Sequence, residues 1–290
     1  MTVQINKKTI TPAAVIEKQI FAIKCINKSS LMSQRSIFQQ LQLVKEIQIQ
    51  RELSCYPNVL KVIKVYETDD YINLLMETQD GGCLGTYLAE NGKMSEERAK
   101  KFAIQLLLTL DFMDRKSIIH RDLKPENILL TSKLDPKTHD LDSPIQVADF
   151  GYATITGEYY RQIIMKGGIS FIIDDIKYLG NRCFVCGTPG FIAPECFNGK
   201  SYSTKSDIFS FGVIMFCLLT GKNLFASSQQ QSCYDLNEKC DLRGCLSRLK
   251  RAGISELAIN FVLDHCLSKN PKNRPSAYQA LMQHPWFLND

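Results

Sequence analysis

Residues 118–130 read IIHRDLKPENILL, and residues 147–151 read VADFG. Each segment joins a short strand-like apolar run to polar residues that apolar packing alone would not call for. Asp122, Lys124, Asn127 and Asp149 are the side chains that carry chemistry here. Magnesium takes hard oxygen ligands and keeps several waters, so one carboxylate and one amide oxygen suffice. Asp149 and Asn127 are such a pair. Asp122 can accept or orient the proton of an attacking hydroxyl. Lys124 follows two residues later, alternates to the same side, and can meet a transferring phosphate. Phosphoryl transfer asks for little else: an aligned nucleophile and neutralised phosphate charge.

The surrounding composition excludes several other classes. The 290 residues are 44% hydrophobic and 22% charged, an ordinary globular balance for one large domain or two joined lobes. A formal charge of +5, from 35 basic and 30 acidic residues, is explained by a solvated surface and needs no nucleic-acid partner. Eleven cysteines in a chain this long make no small disulfide framework. Cys183 and Cys186 form a CxxC without a second ligand pair at zinc spacing, so they read as reduced thiols. The start, MTVQINKKTITP, has no apolar core of signal-peptide length, and the longest apolar run, FGVIMFCLL (211–219), is too short for a bilayer. These features predict a soluble, cytoplasmic chain without a membrane partner; oligomeric state is not legible.

Hydrophobic periodicity supplies the organisation. KQIFAIKCI (18–26), VLKVIKVYE (59–67) and YINLLME (71–77) read as strands, with SIFQQLQLVKEIQIQREL (36–53) as a helix among them. SEERAKKFAIQLLLTLDFM (95–113) reads as a helix capped by Ser95, and TSKLDPKTHDLDSP (131–144) as a long hairpin loop. Beyond Ser203 the helices TKSDIFSFGVIMFCLLTG, SELAINFVLDHCLS and SAYQALMQH dominate. Lys24 lies inside an apolar strand pattern, which asks for an anion to meet it.

Together these segments resemble the eukaryotic protein kinase family, from about residue 19 to the end of the chain. The resemblance implies a bilobal α+β fold, with a β-rich small lobe at 1–78 and a helical large lobe at 79–290. It implies ATP and Mg²⁺ as cofactors, and a protein substrate phosphorylated on serine or threonine, because DLKPEN is the serine/threonine form of the catalytic segment. In FAIK, Lys24 would contact the α/β-phosphates and pair with Glu46 on the following helix, with Glu52 as the alternative partner. Met76 would sit at the back of the nucleotide pocket, Glu77 to Gln79 would offer backbone to adenine, and Ala22 and Leu129 would sandwich the ring. Asp149 and Asn127 would hold Mg²⁺, and Thr188 would hydrogen-bond Asp122 and Lys124. Glu195 in CGTPGFIAPE (186–195) would pair with Arg274 of NPKNRPS, and Asp207 would anchor the catalytic loop. Asp111, Asp174 and Asp175 read as solvated. GTPGFIAPE and HPWF resemble the calcium/calmodulin-dependent group, although the four residues after Trp286 encode no calmodulin-binding tail.

Four positions depart from the family pattern. No glycine occurs before Gly81, so the phosphate-cradling glycine loop is missing, and the alternation of Val3 and Ile5 suggests a chain beginning just after it. Gln50 replaces an apolar residue expected against Phe150. The segment from Asp149 to Glu195 is long, offers Thr154, Thr156, Tyr159, Tyr160, Ser170 and Tyr178 as hydroxyls, and has Phe184 where relatives often carry the threonine whose phosphate Arg121 would clamp. Cys83 stands near the ribose in place of a glutamate, while Glu126 remains to favour an upstream basic residue in the target. A non-catalytic pseudokinase is the rival reading. The intact set Lys24, Glu46, Asp122, Asn127 and Asp149 argues against it. A small-molecule phosphotransferase would leave GTPGFIAPE unexplained.

Overall fold

The structure, a computed structural model, describes residues 2–5, 19–31, 36–134, 143–156, 185–197, 202–226 and 230–288. Strands β1 (Thr2–Ile5), β2 (Gln19–Asn27), β3 (Val62–Glu67) and β4 (Tyr71–Glu77) form an antiparallel sheet in the order β1-β2-β4-β3. The β2–β4 register places Ala22 opposite Met76 and Lys24 opposite Leu74. Helix α1 (Lys28–Leu31) leads to α2 (Ser36–Leu53), whose Leu43 joins Leu74 in a small cluster under the sheet. Its Glu46, Ile49, Gln50 and Leu53 are also buried, a spacing of three and four residues that aims one face inward.

Strand β3 starts later than its sequence pattern predicts. Val59 instead forms a parallel bridge with Val147, and the Leu60 N–H donates to the Val147 carbonyl. Both side chains are buried, so tertiary packing claims residues that propensity alone assigns to the strand.

From β4 the chain passes through Thr78 to Cys83 into α3 (Leu84–Asn91) and α4 (Glu96–Arg115). That connector lies flat on the large lobe. The Gly81 N–H donates to the Leu130 carbonyl, and a Cβ at Gly81 would come within 2.2 Å of the Ser132 carbonyl oxygen. Only glycine permits this approach. Ser95 caps α4 by accepting the Arg98 N–H.

The core helix α5 (Thr204–Thr220) is buried without a break from Ser206 to Leu219 and stops at Gly221, whose φ of 66° forms a left-handed cap. Around it lie α6 (Gln230–Lys239), α7 (Cys245–Arg251), α8 (Glu256–Asn260), α9 (Ala277–Gln283) and α10 (Pro285–Leu288). The predicted helix over 255–268 is interrupted. After α8, Phe261–Cys266 is π-helical. The wider turn seats Phe261 against Phe211, Trp286 and Phe287, with ring centroids 6.0, 5.5 and 4.9 Å away. Among the described residues no helix is long and apolar enough to cross a membrane.

Two small antiparallel ribbons carry the polar segments. β5 (Ile118–Ile119) pairs with β8 (Thr154–Ile155), and β6 (Ile128–Leu130) pairs with β7 (Ile145–Val147). The loop predicted between β6 and β7 therefore closes a hairpin, although residues 135–142 lie outside the described set.

Candidate active site

Lys24 answers to two carboxylates. Its Nζ lies 2.6 Å from Glu46 Oε1 and 3.1 Å from Asp149 Oδ1. Burial opposes its charge, but Glu46 and Asp149 outweigh that penalty and raise the ammonium pKa. For Asp149 burial pushes upward, yet Lys24 and the Gly151 N–H more than reverse it, so the carboxyl lies below its ordinary value. Burial dominates at Glu46 and raises its carboxyl, with Lys24 pulling the other way. Glu52, the alternative partner, instead holds Lys116 at 2.6 Å.

Asp122 is buried and multiply bonded. Its Oδ1 accepts from the Thr188 hydroxyl at 2.7 Å, and its Oδ2 lies 3.0 Å from Lys124 Nζ. Lys124 also donates to Thr188 Oγ1 at 2.8 Å, closing a three-membered circuit. Thr188→Val removes the shared hydroxyl while keeping the volume. We expect kcat to fall about ten- to a hundredfold, with Thr188→Ser recovering most of it. Steady-state kinetics at saturating nucleotide would check this, and unchanged turnover in the valine variant would remove Thr188 from the site.

Asn127 is the last residue of a one-turn 3₁₀ helix, Pro125–Asn127. Its Nδ2 donates to the Asp122 carbonyl at 2.9 Å. The amide oxygen therefore points away from Asp122, which leaves a hard donor for a cation.

Asp207 on α5 sets the backbone of the loop. Its two oxygens accept the His120 N–H at 2.7 Å and the Arg121 N–H at 3.0 Å. Burial pushes its carboxyl up to about 7, against those two N–H groups, which favour the charged form. They also stabilise Arg121 at a φ of 68°, a left-handed conformation costly for a non-glycine residue. His120 is fully buried and its pKa is lowered by desolvation. It accepts the Asp122 N–H on Nδ1, so the proton on Nε2 points to the Ala148 carbonyl at 3.1 Å.

The connector is bonded to both lobes. Phe21 pairs with Glu77, and the Thr78 hydroxyl donates to the Ile20 carbonyl. Gln79 turns inward, donating to Gln146 Oε1 at 2.8 Å. Leu129 bridges Cys83 on this side, while Ala22 and Met76 face one another across β2 and β4. Ala22 thus neighbours Met76 two residues before Lys24, Glu77 neighbours Phe21, and Gln79 and Leu129 tie the connector to the large lobe.

Gln50, Cys83 and Arg121 acquire local partners. Gln50 is buried but donates to the Leu60 carbonyl at 2.9 Å, and its Nε2 lies 3.9 Å from Met76 Sδ. Gln50→Leu would strand that carbonyl, and urea melts should show a loss of about 1–3 kcal/mol; no loss would mean that the carbonyl finds another donor. Cys83 caps α3 by accepting the Thr86 N–H. Arg121 donates Nε–H to the Tyr152 carbonyl at 2.5 Å and lies over the Tyr202 ring. The Thr156 hydroxyl donates to the Ser117 carbonyl. Tyr159, Tyr160, Ser170, Asp174, Asp175, Tyr178, Cys183 and Phe184 lie outside the described residues. Asp111 corrects a reading: it is not simply solvated but pairs with Arg115 at 2.7 Å one helical turn on. Sequence reasoning named Gln79 for its backbone only, and it missed Gln146 and Gln42, because amides on an amphipathic surface carry no signal of their own.

Arg274 is 1% exposed and forms a two-pronged pair with Glu195, at 2.6 and 2.8 Å. It also donates to the Ser268 and Lys205 carbonyls. This pair fastens the segment bearing Thr188 to the late helices.

The comparisons agree with this geometry. The sequence profile described as the protein kinase domain matches residues 12–287. The chain is 32% identical to the serine/threonine-protein kinase cds1 of Schizosaccharomyces pombe, over 92% of this chain and 52% of that protein. It is 31% identical to a probable myosin light chain kinase of Dictyostelium discoideum, over 93% of this chain and 60% of that protein. It is 30% identical to the serine/threonine-protein kinase unc-51 of Caenorhabditis elegans, over 92% of this chain and 28% of that protein. The chain therefore spans between about a quarter and three fifths of these relatives' lengths. It belongs to the protein kinase domain family, in its serine/threonine branch.

Proposed function

We propose that this domain transfers the γ-phosphate of ATP to serine or threonine hydroxyls of a protein substrate. The observation that carries this reading is the assembled set: Lys24 on Glu46 and Asp149, and Asp122 on Thr188 and Lys124. Lys24 holds the α/β-phosphates and Glu46 fixes its direction. Ala22 and Leu129 enclose adenine, with the Glu77-to-Gln79 backbone along its edge and Met76 behind it. Asp122 receives the hydroxyl proton, and Lys124 meets the charge on the moving phosphoryl group. Asp149 and Asn127 fit Mg²⁺, because one offers a carboxylate and the other an amide oxygen whose NH₂ is taken by the Asp122 carbonyl, and the Ala148 N–H, next to Asp149, donates to the Asn127 carbonyl. The bound ion would neutralise phosphate charge.

Within this proposal the lobes divide at 78/79, and the site is cytoplasmic, where ATP is found; the ten described cysteines are free thiols. Glu126, lying over Gly85, supports a basic residue upstream of the target. A calcium/calmodulin-dependent-like subgroup is supported by the likeness to a probable myosin light chain kinase. A non-catalytic module has no chemical need for the Lys24–Glu46 pair.

The test is to incubate the purified chain with Mg-ATP and a basic protein, and to map phosphosites by mass spectrometry. Phosphoserine or phosphothreonine that disappears with Asp122→Asn supports the reading; no phosphate with the parent chain overturns it.

A further inference from the structure

We infer that Gln42 is a positioning residue for the metal-binding aspartate, holding α2 to the turn that follows Asp149. The inference rests on the phosphoryl-transfer reading above. Gln42 stands one helical turn before Glu46, so both side chains leave α2 on the same face. While Glu46 takes Lys24, the Gln42 Nε2 donates to the Gly151 carbonyl.

That carbonyl belongs to a crowded residue. A Cβ at Gly151 would lie 3.1 Å from Asp149 Oδ1, 3.5 Å from Glu46 Oε2 and 3.7 Å from Lys24 Nζ. Gly151 is therefore seated against all three charged groups, and its N–H lies 3.4 Å from Asp149 Oδ1. Asp149 itself has a φ of 61°, a left-handed conformation that surrounding contacts must stabilise. The next carbonyl, of Tyr152, accepts from Arg121. Two consecutive carbonyls are thus tied, one to the small lobe by Gln42 and one to the catalytic loop by Arg121. A neutral amide here brings α2 and Asp149 into register without any added phosphate. Displacing α2 would break the Gln42 and Glu46 contacts together.

The experiment compares the parent chain with Gln42→Met and Gln42→Glu, which keep the unbranched shape and lack an N–H donor. All proteins are treated with phosphatase first. Turnover of Mg-ATP, ATP binding without metal, urea stability, and hydrogen–deuterium exchange over residues 149–156 are measured. Loss of one hydrogen bond predicts a three- to tenfold fall in kcat, roughly the shift in the aligned population. Exchange over 149–156 should quicken by a similar factor, while exchange in α5, metal-free ATP binding and the urea midpoint stay unchanged. A merely structural role would move the urea midpoint and α5 as well, and would overturn the inference. So would unchanged exchange over 149–156. If the parent chain itself does not turn over ATP, the phosphoryl-transfer reading fails, and the exchange measurement still decides whether Gln42 holds the turn.

Discussion

Asp149→Asn is expected to abolish phosphoryl transfer to within about a thousandth of the parent rate while leaving the domain folded. The substitution is nearly isosteric, so packing around Phe150 and His120 is preserved. What changes is charge. Asp149 carries its carboxylate below the ordinary carboxylate range through Lys24, and it supplies the charged oxygen of the proposed cation pair. An amide there binds a hard dication weakly and no longer draws Lys24 into line. Loss of a preorganised electrostatic contact commonly costs a hundred- to a thousandfold, and a thousandfold is about 4 kcal/mol in the barrier. The check has two parts: steady-state turnover against Mg²⁺ concentration, and ATP binding without metal. Turnover should fail at every Mg²⁺ concentration while metal-free binding stays within a few-fold, because the proposed adenine contacts lie at Glu77 to Gln79. Activity within tenfold of the parent would remove Asp149 from the metal site.

The second large effect is on stability. Arg274→Ala would leave Glu195 without its counter-ion and the Lys205 and Ser268 carbonyls without their donor, around a site where Arg274 itself is buried and its partners are half-buried. Breaking a buried pair from one side costs about 3–5 kcal/mol, a large share of the roughly 5–15 kcal/mol that holds a domain together. Arg274 also covers the Phe209 ring, with its guanidinium carbon 5.0 Å from the centroid, and that contact goes too. Thermal unfolding should move down by on the order of 10 °C. Replacing both partners with apolar residues, Arg274→Met with Glu195→Leu, should recover part of the loss, since no charge is then stranded. A single-variant loss below about 1 kcal/mol, read from urea melts, would show that the pair contributes little.

Much of the fold was legible because its elements are locally consistent. Helix α2 occupies the residues its composition suggested, 36–53, and α4 begins after its Ser95 cap. Strand β4 likewise coincides with YINLLME. Errors fell where a residue's local preference competes with a distant partner. Val59 and Leu60 look like strand and serve instead to join the lobes through Val147. Phe261 to Cys266 look like ordinary helix, but packing on Phe211 widens the turn.

The candidate site divides in the same way. Asp122, Lys124, Asn127 and Asp149 announce themselves by residue type within two short segments, since hard oxygens and a cation at those spacings suit little else. Side-chain type and spacing are local properties, and a chain displays them before it folds. The contacts that decide which of these groups are aligned belong to the tertiary structure alone. Lys24 chooses Glu46 over Glu52 because α2 turns that face toward β2. Gln42 finds the Gly151 carbonyl across a separation of 109 residues. An amide carries no charge and no period that would reveal such a partner, so only the packing of α2 against the turn after Asp149 gives it a role.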